Sequence, residues 1–331
     1  MLNKRSISFA KYSIKRFIPN KIWSVTSEIY QAKRALEFDH KSITQRNSIF
    51  EDSVLVIRRR PPGGGLFSNV NHVMQGLEIA QRDNLLPVVD MENYWTSYSQ
   101  KSKFNDTYNS WEYFFNPVSN LRVVDVEKYR NIELSSGDRI NPKSILSDKG
   151  LKFVLDRNSI NYLHTIFVQY IQLNKICGEL VLKVKDFIDW QSKTAGVFYR
   201  GTDYVALQPS GHARQPTLKE FMVEVEAKMR TDKSYRLLIS TEDPAIRNTL
   251  LDSFPNLAYR DFRNQEILMK MLPSGKQVSP QLLNALGYLI ETYLLSDSET
   301  IVSTIANGSA TAILINGNRY IDPVIIDRGV Y

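Results

Sequence analysis

The sequence holds one cysteine, Cys177, and four histidines, His40, His72, His164 and His212, in 331 residues. A single thiol excludes a disulfide framework, a multi-cysteine zinc site and a dithiol redox pair. The histidines show no metal-ligand spacing, so no resident metal is expected. No run of about 18 apolar residues occurs, which leaves no candidate for a spanning helix. No apolar stretch ends in a small-residue cleavage site of the secretory kind, and no repeat of solenoid period is visible. With so little cysteine, a reducing cytosol is the compartment that the composition suggests. What is present is ordinary for a globular protein: 43% hydrophobic and 23% charged residues. The length fits about two domains, each with a sizeable core.

The net charge of +7 is concentrated at one end. Residues 1–60 hold 13 basic and 5 acidic residues, a net of +8, against 29 and 30 in the rest. Lys4, Arg5, Lys11, Lys15, Arg16 and Lys21 all precede the first acid, Glu28. Ile7, Ala10, Ile14 and Phe17 recur at helical spacing, so this is a basic amphipathic pattern, ended near Pro19. Two readings stand. Residues 1–21 fit a surface helix packed on its own protein, the more generic reading, and are also suited to an anionic membrane surface. No basic face interleaved with aromatics follows, so nucleic acid is not an expected partner.

Beyond this segment the chain alternates in the manner of an α/β protein. Val54–Ile57 reads as a buried strand, residues 58–65 as a Gly-rich loop, 67–82 as a helix and 86–90 as a second strand with Asp90 at its carboxyl end. Residues 91–150, rich in Asn, Ser, Tyr and Asp, read as loops and short helices, and 158–190 as largely helical. A second series follows, with strands at 196–199, 237–240, 257–261 and 300–303 and helices at 216–230, 244–254, 280–295 and 307–313. The expected division is a basic segment 1–50, one α/β domain over 51–192 and another over 193–331, with doubly wound sheets facing a cleft.

Open α/β sheets bind ligands at the carboxyl ends of their strands. Arg200-Gly201-Thr202-Asp203 follows an apolar strand, and an arginine there is suited to forking onto a phosphate; the alternative is a structural Arg200–Asp203 pair. Ser240-Thr241-Glu242-Asp243-Pro244 sits at a strand-to-helix turn. Capping by Ser240 or Thr241, with Glu242 or Asp243 facing the helix dipole, accounts for the composition, while a base or ribose contact stays open. Ser303, Thr304, Asn307 and Ser309 again follow a strand, as a phosphate-binding turn or as an ordinary capped helix. Gly64 and Gly65 permit close backbone approach to a sugar or pyrophosphate, although the loop lacks the dinucleotide fingerprint and the P-loop lysine. Arg58–Arg60 read as solvated. His212 lies in a polar loop suited to a bound anion. His72 is either a core or a cleft residue.

Taken in order, Gly196–Asp203, Gln215–Met222, Leu238–Ala245 and Tyr288–Glu291 running on to Ser303-Thr304 resemble the α1,6-/O-fucosyltransferase superfamily over residues 195–315, especially the core α1,6- and nodulation fucosyltransferases. Gly63–Asn69 resembles the Gly-rich first loop of that family less specifically. The resemblance implies a GT-B fold of two Rossmann-like domains, GDP-fucose as donor, inversion at the sugar and no metal or other cofactor. It implies that Arg200 binds the β-phosphate. It further implies that Asp203, Glu242, Asp243 and Glu291 shape the donor site, and that Ser303, Thr304 and residues up to Ser309 contact phosphate, with Asn69 on the donor side. Two departures stand out: Phe198 replaces the family's histidine, and Tyr204–Gln208 carries no acid where the core enzymes have one.

The expected function is an inverting glycosyltransferase that moves fucose or a related hexose from a GDP-sugar to a hydroxyl of a glycan or lipid-linked glycan, in surface polysaccharide synthesis. Asp90 or His72 is the expected base. The rival is a catalytically inactive sugar-nucleotide or glycan-binding protein of the same fold.

Overall fold

A computed structural model describes residues 50–59, 64–93, 96–135, 144–208, 210–260 and 263–331. The basic N-terminal segment, residues 60–63 of the Gly-rich loop and Asp261 lie outside the described residues, as does the side chain of Asp203. The chain forms two compact α/β units. The first comprises Met1–Ser147, Gln169–Asn174 and Lys276–Leu282; the second comprises Asp148–Val168, Lys175–Gly275 and Leu283–Tyr331. Among the described residues no helix is long and apolar enough to cross a membrane.

In the first unit, β1 (Phe50–Ile57), α1 (Leu66–Arg82), β2 (Leu86–Val89) and β3 (Tyr129–Leu134) give a parallel sheet of order β2-β1-β3. Val54 and Val56 stand in register with Leu86 and Val88. The helix buries Phe67, Val70, Met74, Leu77 and Ala80, the residues whose 3.6 spacing marks it in the sequence. β3 corrects the expectation of loops over 91–150. It is an edge strand, and in Tyr-Arg-Asn-Ile-Glu-Leu only Tyr129 is buried, so it lacks the apolar run of a central strand.

The short helix α2 (Ile145–Lys149) leads into the second unit, which continues with α3 (Arg157–Tyr170) and α4 (Lys175–Phe187). The expected single helical stretch over 158–190 is therefore two helices. Its break at 171–174 pairs with 114–116 within the first unit: Asn116 N–H donates to the Gln172 carbonyl at 2.9 Å, and Asn174 N–H to the Phe114 carbonyl at 3.0 Å. Then come β4 (Thr194–Tyr199), α5 (Thr202–Leu207), α6 (Leu218–Thr231), β5 (Arg236–Thr241), α7 (Pro244–Ser253), α8 (Gln265–Met271), α9 (Pro280–Ser296), β6 (Thr300–Thr304), α10 (Asn307–Asn316) and β7 (Val324–Ile326). The sheet order is β5-β4-β6-β7, all parallel.

Ala195, Val197, Tyr199, Leu237, Ile239 and Val302 pack on Phe221, Val225 and Met229 of α6 and Leu250 of α7. The alternate residues face the other way. A Cβ on Gly196 would come within 2.9 Å of Leu295 on α9. Helices thus cover both faces, as a parallel sheet requires. The strand expected at 257–261 is a single bridge from Ala258 to Leu237.

Candidate functional site

Parallel strands bring their carboxyl ends to one edge, where loops are free to take up function. In the second unit Arg200 leaves β4 there. Its N–H donates to Thr304 Oγ1 at 3.1 Å, tying the exit of β4 to that of β6. Its guanidinium, 18% exposed, pairs with Glu242, whose side chain is 50% exposed. The guanidinium carbon also lies 4.9 Å from the Tyr204 ring centre. An ion pair open to water contributes only about 0–1 kcal/mol. A multiply charged anion therefore competes readily with Glu242 for Arg200.

The rest of this edge is more internal than its sequence suggests. Glu291 is fully buried, ion-paired to Arg247 at 3.1 Å and to Arg263 at 3.4 Å. Both arginines also donate to the Thr241 carbonyl, at 3.3 and 3.0 Å. A buried carboxylate needs such partners, so Glu291 and Thr241 frame the edge from within. Asp243, not Ser240 or Thr241, is the N-cap of α7; its Oδ1 accepts from Ala245 N–H at 2.8 Å and Ile246 N–H at 3.2 Å. Pro244, preset for the first helical position, fixes that assignment. Ser303 Oγ is buried without a hydrogen-bond partner, beside Phe198 in register. Ser309 Oγ accepts from Ala306 N–H at 3.1 Å and donates to the Thr304 carbonyl at 2.6 Å.

The hydroxyls of Ser303, Thr304 and Ser309 thus point inward. The start of α10 offers an anion the backbone N–H groups of Gly308 and Ser309, which precede the first intrahelical bond. Gly308 has no substitute at this position. A Cβ would collide with Tyr288 Oη and stand 2.8 Å from Tyr288 Cζ and 3.0 Å from Phe198. Gly308→Ala is expected to destabilise the protein by about 1–3 kcal/mol, the usual range for overpacking, as read by urea unfolding. Unchanged stability would show that this contact yields freely. His212 is exposed, its Nδ1 3.2 Å from the Ser210 carbonyl and its ring edge-on to Tyr204 at 5.4 Å. Tyr204 is therefore touched by both His212 and Arg200.

In the first unit the three strand exits, Arg58, Asp90 and Ser135, bind one another. Arg58, 2% exposed, is buried rather than solvated, with Nε 3.0 Å and Nη2 2.8 Å from Asp90 Oδ2. Arg58 N–H donates to Ser135 Oγ at 2.8 Å. Asp90 is fully buried and also accepts from Asn93 N–H and Nδ2, each on Oδ1 at 3.1 Å. Both its oxygens are occupied, which does not suit the general base expected of it.

His72 is placed differently. Its Nε2 lies 2.5 Å from the Arg58 carbonyl. A carbonyl only accepts, so Nε2 carries the proton and Nδ1 presents its lone pair. Burial, with Arg59 nearby, lowers its pKa against the pull of that carbonyl. Nitrogen NMR should show the neutral Nε2–H tautomer at pH 7; an imidazolium would contradict the geometry. The unfolded chain takes up this proton below about pH 6.5 and the folded one resists it. His72 therefore erodes stability as pH falls below that point and leaves it unchanged above.

Asn69 Oδ1 accepts from Arg59 Nη1 at 2.9 Å, and its Nδ2 donates to the Gly64 carbonyl at 3.2 Å and to Tyr98 Oη at 2.8 Å. It thus pins the loop rather than offering a free amide. A Cβ on Gly64 would stand 2.5 Å from Ser68 Oγ and 2.9 Å from Arg59 Nη1. Gly65, the uncapped N-cap of α1, has open space around it.

Arg58, Arg59, Asn93, Ser135, Arg247, Arg263 and Tyr288 escape sequence reasoning. Arg58 had a signal, since it follows a strand just as Arg200 does. Arg263 had the same kind of signal, lying two residues beyond the strand expected at 257–261.

No family model and no curated protein matches the sequence. Among solved structures, a NodZ α1,6-fucosyltransferase soaked with GDP-fucose is similar over 80% of this chain and 93% of its own, at 12% identity and a TM-score of 0.46. The fucosyltransferase NodZ from Bradyrhizobium is similar over 81% and 93%, at 13% identity and 0.45. POFUT1 in complex with GDP-fucose is similar over 87% and 100%, at 9% identity and 0.46.

Proposed function

We propose that the second unit binds a nucleoside diphosphate-sugar and that the chain is a metal-independent, inverting glycosyltransferase of GT-B architecture. The donor is GDP-fucose or a related GDP-hexose. The acceptor is a hydroxyl of a glycan or lipid-linked glycan in surface polysaccharide synthesis. The observation that carries this reading is Arg200. It sits at the exit of β4, tied to Thr304 just before the uncapped start of α10, and the acid it pairs with, Glu242, is half-exposed. The ordered motifs over residues 195–315 support the fucosyltransferase assignment.

The chemistry follows from charge. As the bond from sugar C1 to the phosphate oxygen breaks, the electron pair leaves with the nucleotide and the sugar becomes oxocarbenium-like. Arg200 and the α10 amides stabilise the diphosphate as its charge grows, without reorganising. The acceptor oxygen bonds to C1, and its proton passes to a base; within the first unit His72 Nδ1 has a lone pair for such a role, whereas both oxygens of Asp90 are occupied. Residues 1–21 are the part suited to an anionic membrane, which would keep the enzyme on the inner surface near a lipid-linked acceptor. The absence of an acid at 204–208 favours the second reading, a binding protein that holds the nucleotide without transferring the sugar.

A thermal-shift screen in EDTA with GDP-fucose, a UDP-sugar and a CMP-sugar tests the donor. Ligand at 100 times its Kd adds about 2.7 kcal/mol to the folded state, so GDP-fucose should raise the midpoint by a few degrees and the others should not. No shift with any of the three would end this reading. A shift with release of free fucose or transfer to an acceptor separates enzyme from binding protein.

A further inference from the structure

Arg58 and Arg59 leave β1 together but are served differently. Arg58 closes one side of its guanidinium, Nε and Nη2, on the Asp90 carboxylate. Arg59 engages only Nη1, which donates to Ser68 Oγ at 2.8 Å and to Asn69 Oδ1 at 2.9 Å. Asn69 is itself tied to the Gly64 carbonyl and Tyr98 Oη, and a Cβ on Gly64 would stand 2.9 Å from Arg59 Nη1. The guanidinium is therefore held by one end. Its Nε and Nη2, the two donors that Arg58 turns on Asp90, have no partner among the described residues. Arg58, Arg200, Arg247 and Arg263 each bind a carboxylate. Arg59 is half-buried, a costly setting for a cation without a counter-charge. The ionisable groups in its reach supply none: burial pushes the Tyr98 phenol up to about 12, and His72 is a neutral imidazole.

We propose that Arg59 is the binding residue for an acidic group on the acceptor, its Nε and Nη2 forking onto a carboxylate or phosphate oxyanion. Two parallel N–H donors match two oxygens of either group. Assigning the anion to the acceptor rests on the glycosyltransferase reading, in which the donor diphosphate belongs to Arg200 in the second unit. Half-burial leaves Arg59 within reach of a ligand, and Gly65 has open space around it. The same site bears on the base. Arg59 is near enough to His72 to depress its pKa, so an anion seated on Arg59 is felt at that imidazole. The acceptor class is then a glycan bearing uronic acid or phosphate groups rather than a neutral one.

Histidine nitrogen NMR on the full-length chain reads this site without a variant. Sodium glucuronate, inorganic phosphate, neutral glucose and GDP are titrated separately at constant ionic strength. Glucuronate or phosphate should saturate and raise the His72 pKa toward its ordinary value of about 6.5, because a seated anion offsets Arg59; glucose should not. Saturation by glucuronate identifies a carboxylate, and by phosphate alone a phosphate group. Arg59→Gln should weaken that anion about tenfold, the loss of hydrogen bonds between charged partners, and leave GDP within about twofold. A His72 pKa indifferent to both anions overturns the proposal, and this wild-type result decides even if the variant does not fold. Equal anion affinity in wild type and variant overturns it as well. So does a variant that weakens GDP as much as the anion, or GDP alone. Anion binding that depends on Arg59 in a chain that binds no GDP overturns the glycosyltransferase reading, and the acceptor assignment with it, while the oxyanion site stands.

Discussion

Arg200→Ala is expected to cut sugar transfer at least a hundredfold while the protein stays folded. Removing one preorganised donor from a developing oxyanion typically costs about 10²–10³ in rate, and at Arg200 the donor carries a full charge. Stability should hardly change. The variant's losses include an ion pair to half-exposed Glu242, worth about 0–1 kcal/mol, and a contact with the Tyr204 ring worth about 0.5–2 kcal/mol. The tie to β6 is a backbone N–H donating to Thr304, which alanine keeps. Initial rates with GDP-fucose and a melting curve on the same preparation decide the matter. A variant as active as the wild type would remove Arg200 from the mechanism. One that is inactive and unfolded would show that Arg200 holds the fold together, against the small energies of the Glu242 pair and the Tyr204 contact.

Asp90→Ala should have the largest effect on stability, a loss of about 3–5 kcal/mol, because it strands the buried Arg58 guanidinium without its carboxylate. The companion variant Arg58→Met with Asp90→Leu should recover most of that loss, since an apolar pair of similar volume removes the stranded charge and leaves only Asn93 without its acceptor. The contrast between single and double variants in urea is the measurement. If the single variant loses under about 1 kcal/mol, the pair is not the buried anchor that its zero exposure implies. The same pair of variants bears on catalysis. Activity surviving in the double variant would confirm that Asp90 transfers no proton.

The sequence showed most plainly what depends on uninterrupted apolar runs. β4 and β6 are central, and β5, at the sheet edge, is covered beside the bridge from Leu237 to Ala258; their buried runs (Ala-Gly-Val-Phe-Tyr, Thr-Ile-Val and Leu-Leu-Ile) stand out against polar flanks. The edge strands β3 and β7 do not. β3 buries one residue in six, and β7 has three residues, all half-buried. The helices over 157–187 were visible as periodicity, but not the break at 171–174, because Ile171 continues the apolar pattern although its neighbours are bonded to 114–116. At the candidate site the rule that ligands gather at strand ends found Arg200, Glu242 and Asp90. It could not tell exposed from buried charge. Glu242 and Glu291 are both glutamates beside arginines. One is half-exposed on a loop and the other sits at zero exposure on α9, a difference made by neighbours distant in sequence, Arg247 and Arg263.

The interleaving of the two units fixes an order of assembly during synthesis. The stretch Lys276–Leu282 belongs to the first unit yet leaves the ribosome after all of β4 to α8. The first sheet can therefore form early, but its unit stays incomplete until more than four-fifths of the chain has been made. The second unit in turn waits for β6 and α10, whose Leu314 carbonyl is bonded by His164 from 150 residues upstream. Neither unit is a finished product of any continuous stretch of the message. A nascent chain stalled between residues 190 and 275 would hold two half-built cores, and both would still expose apolar surface to the cell's chaperones.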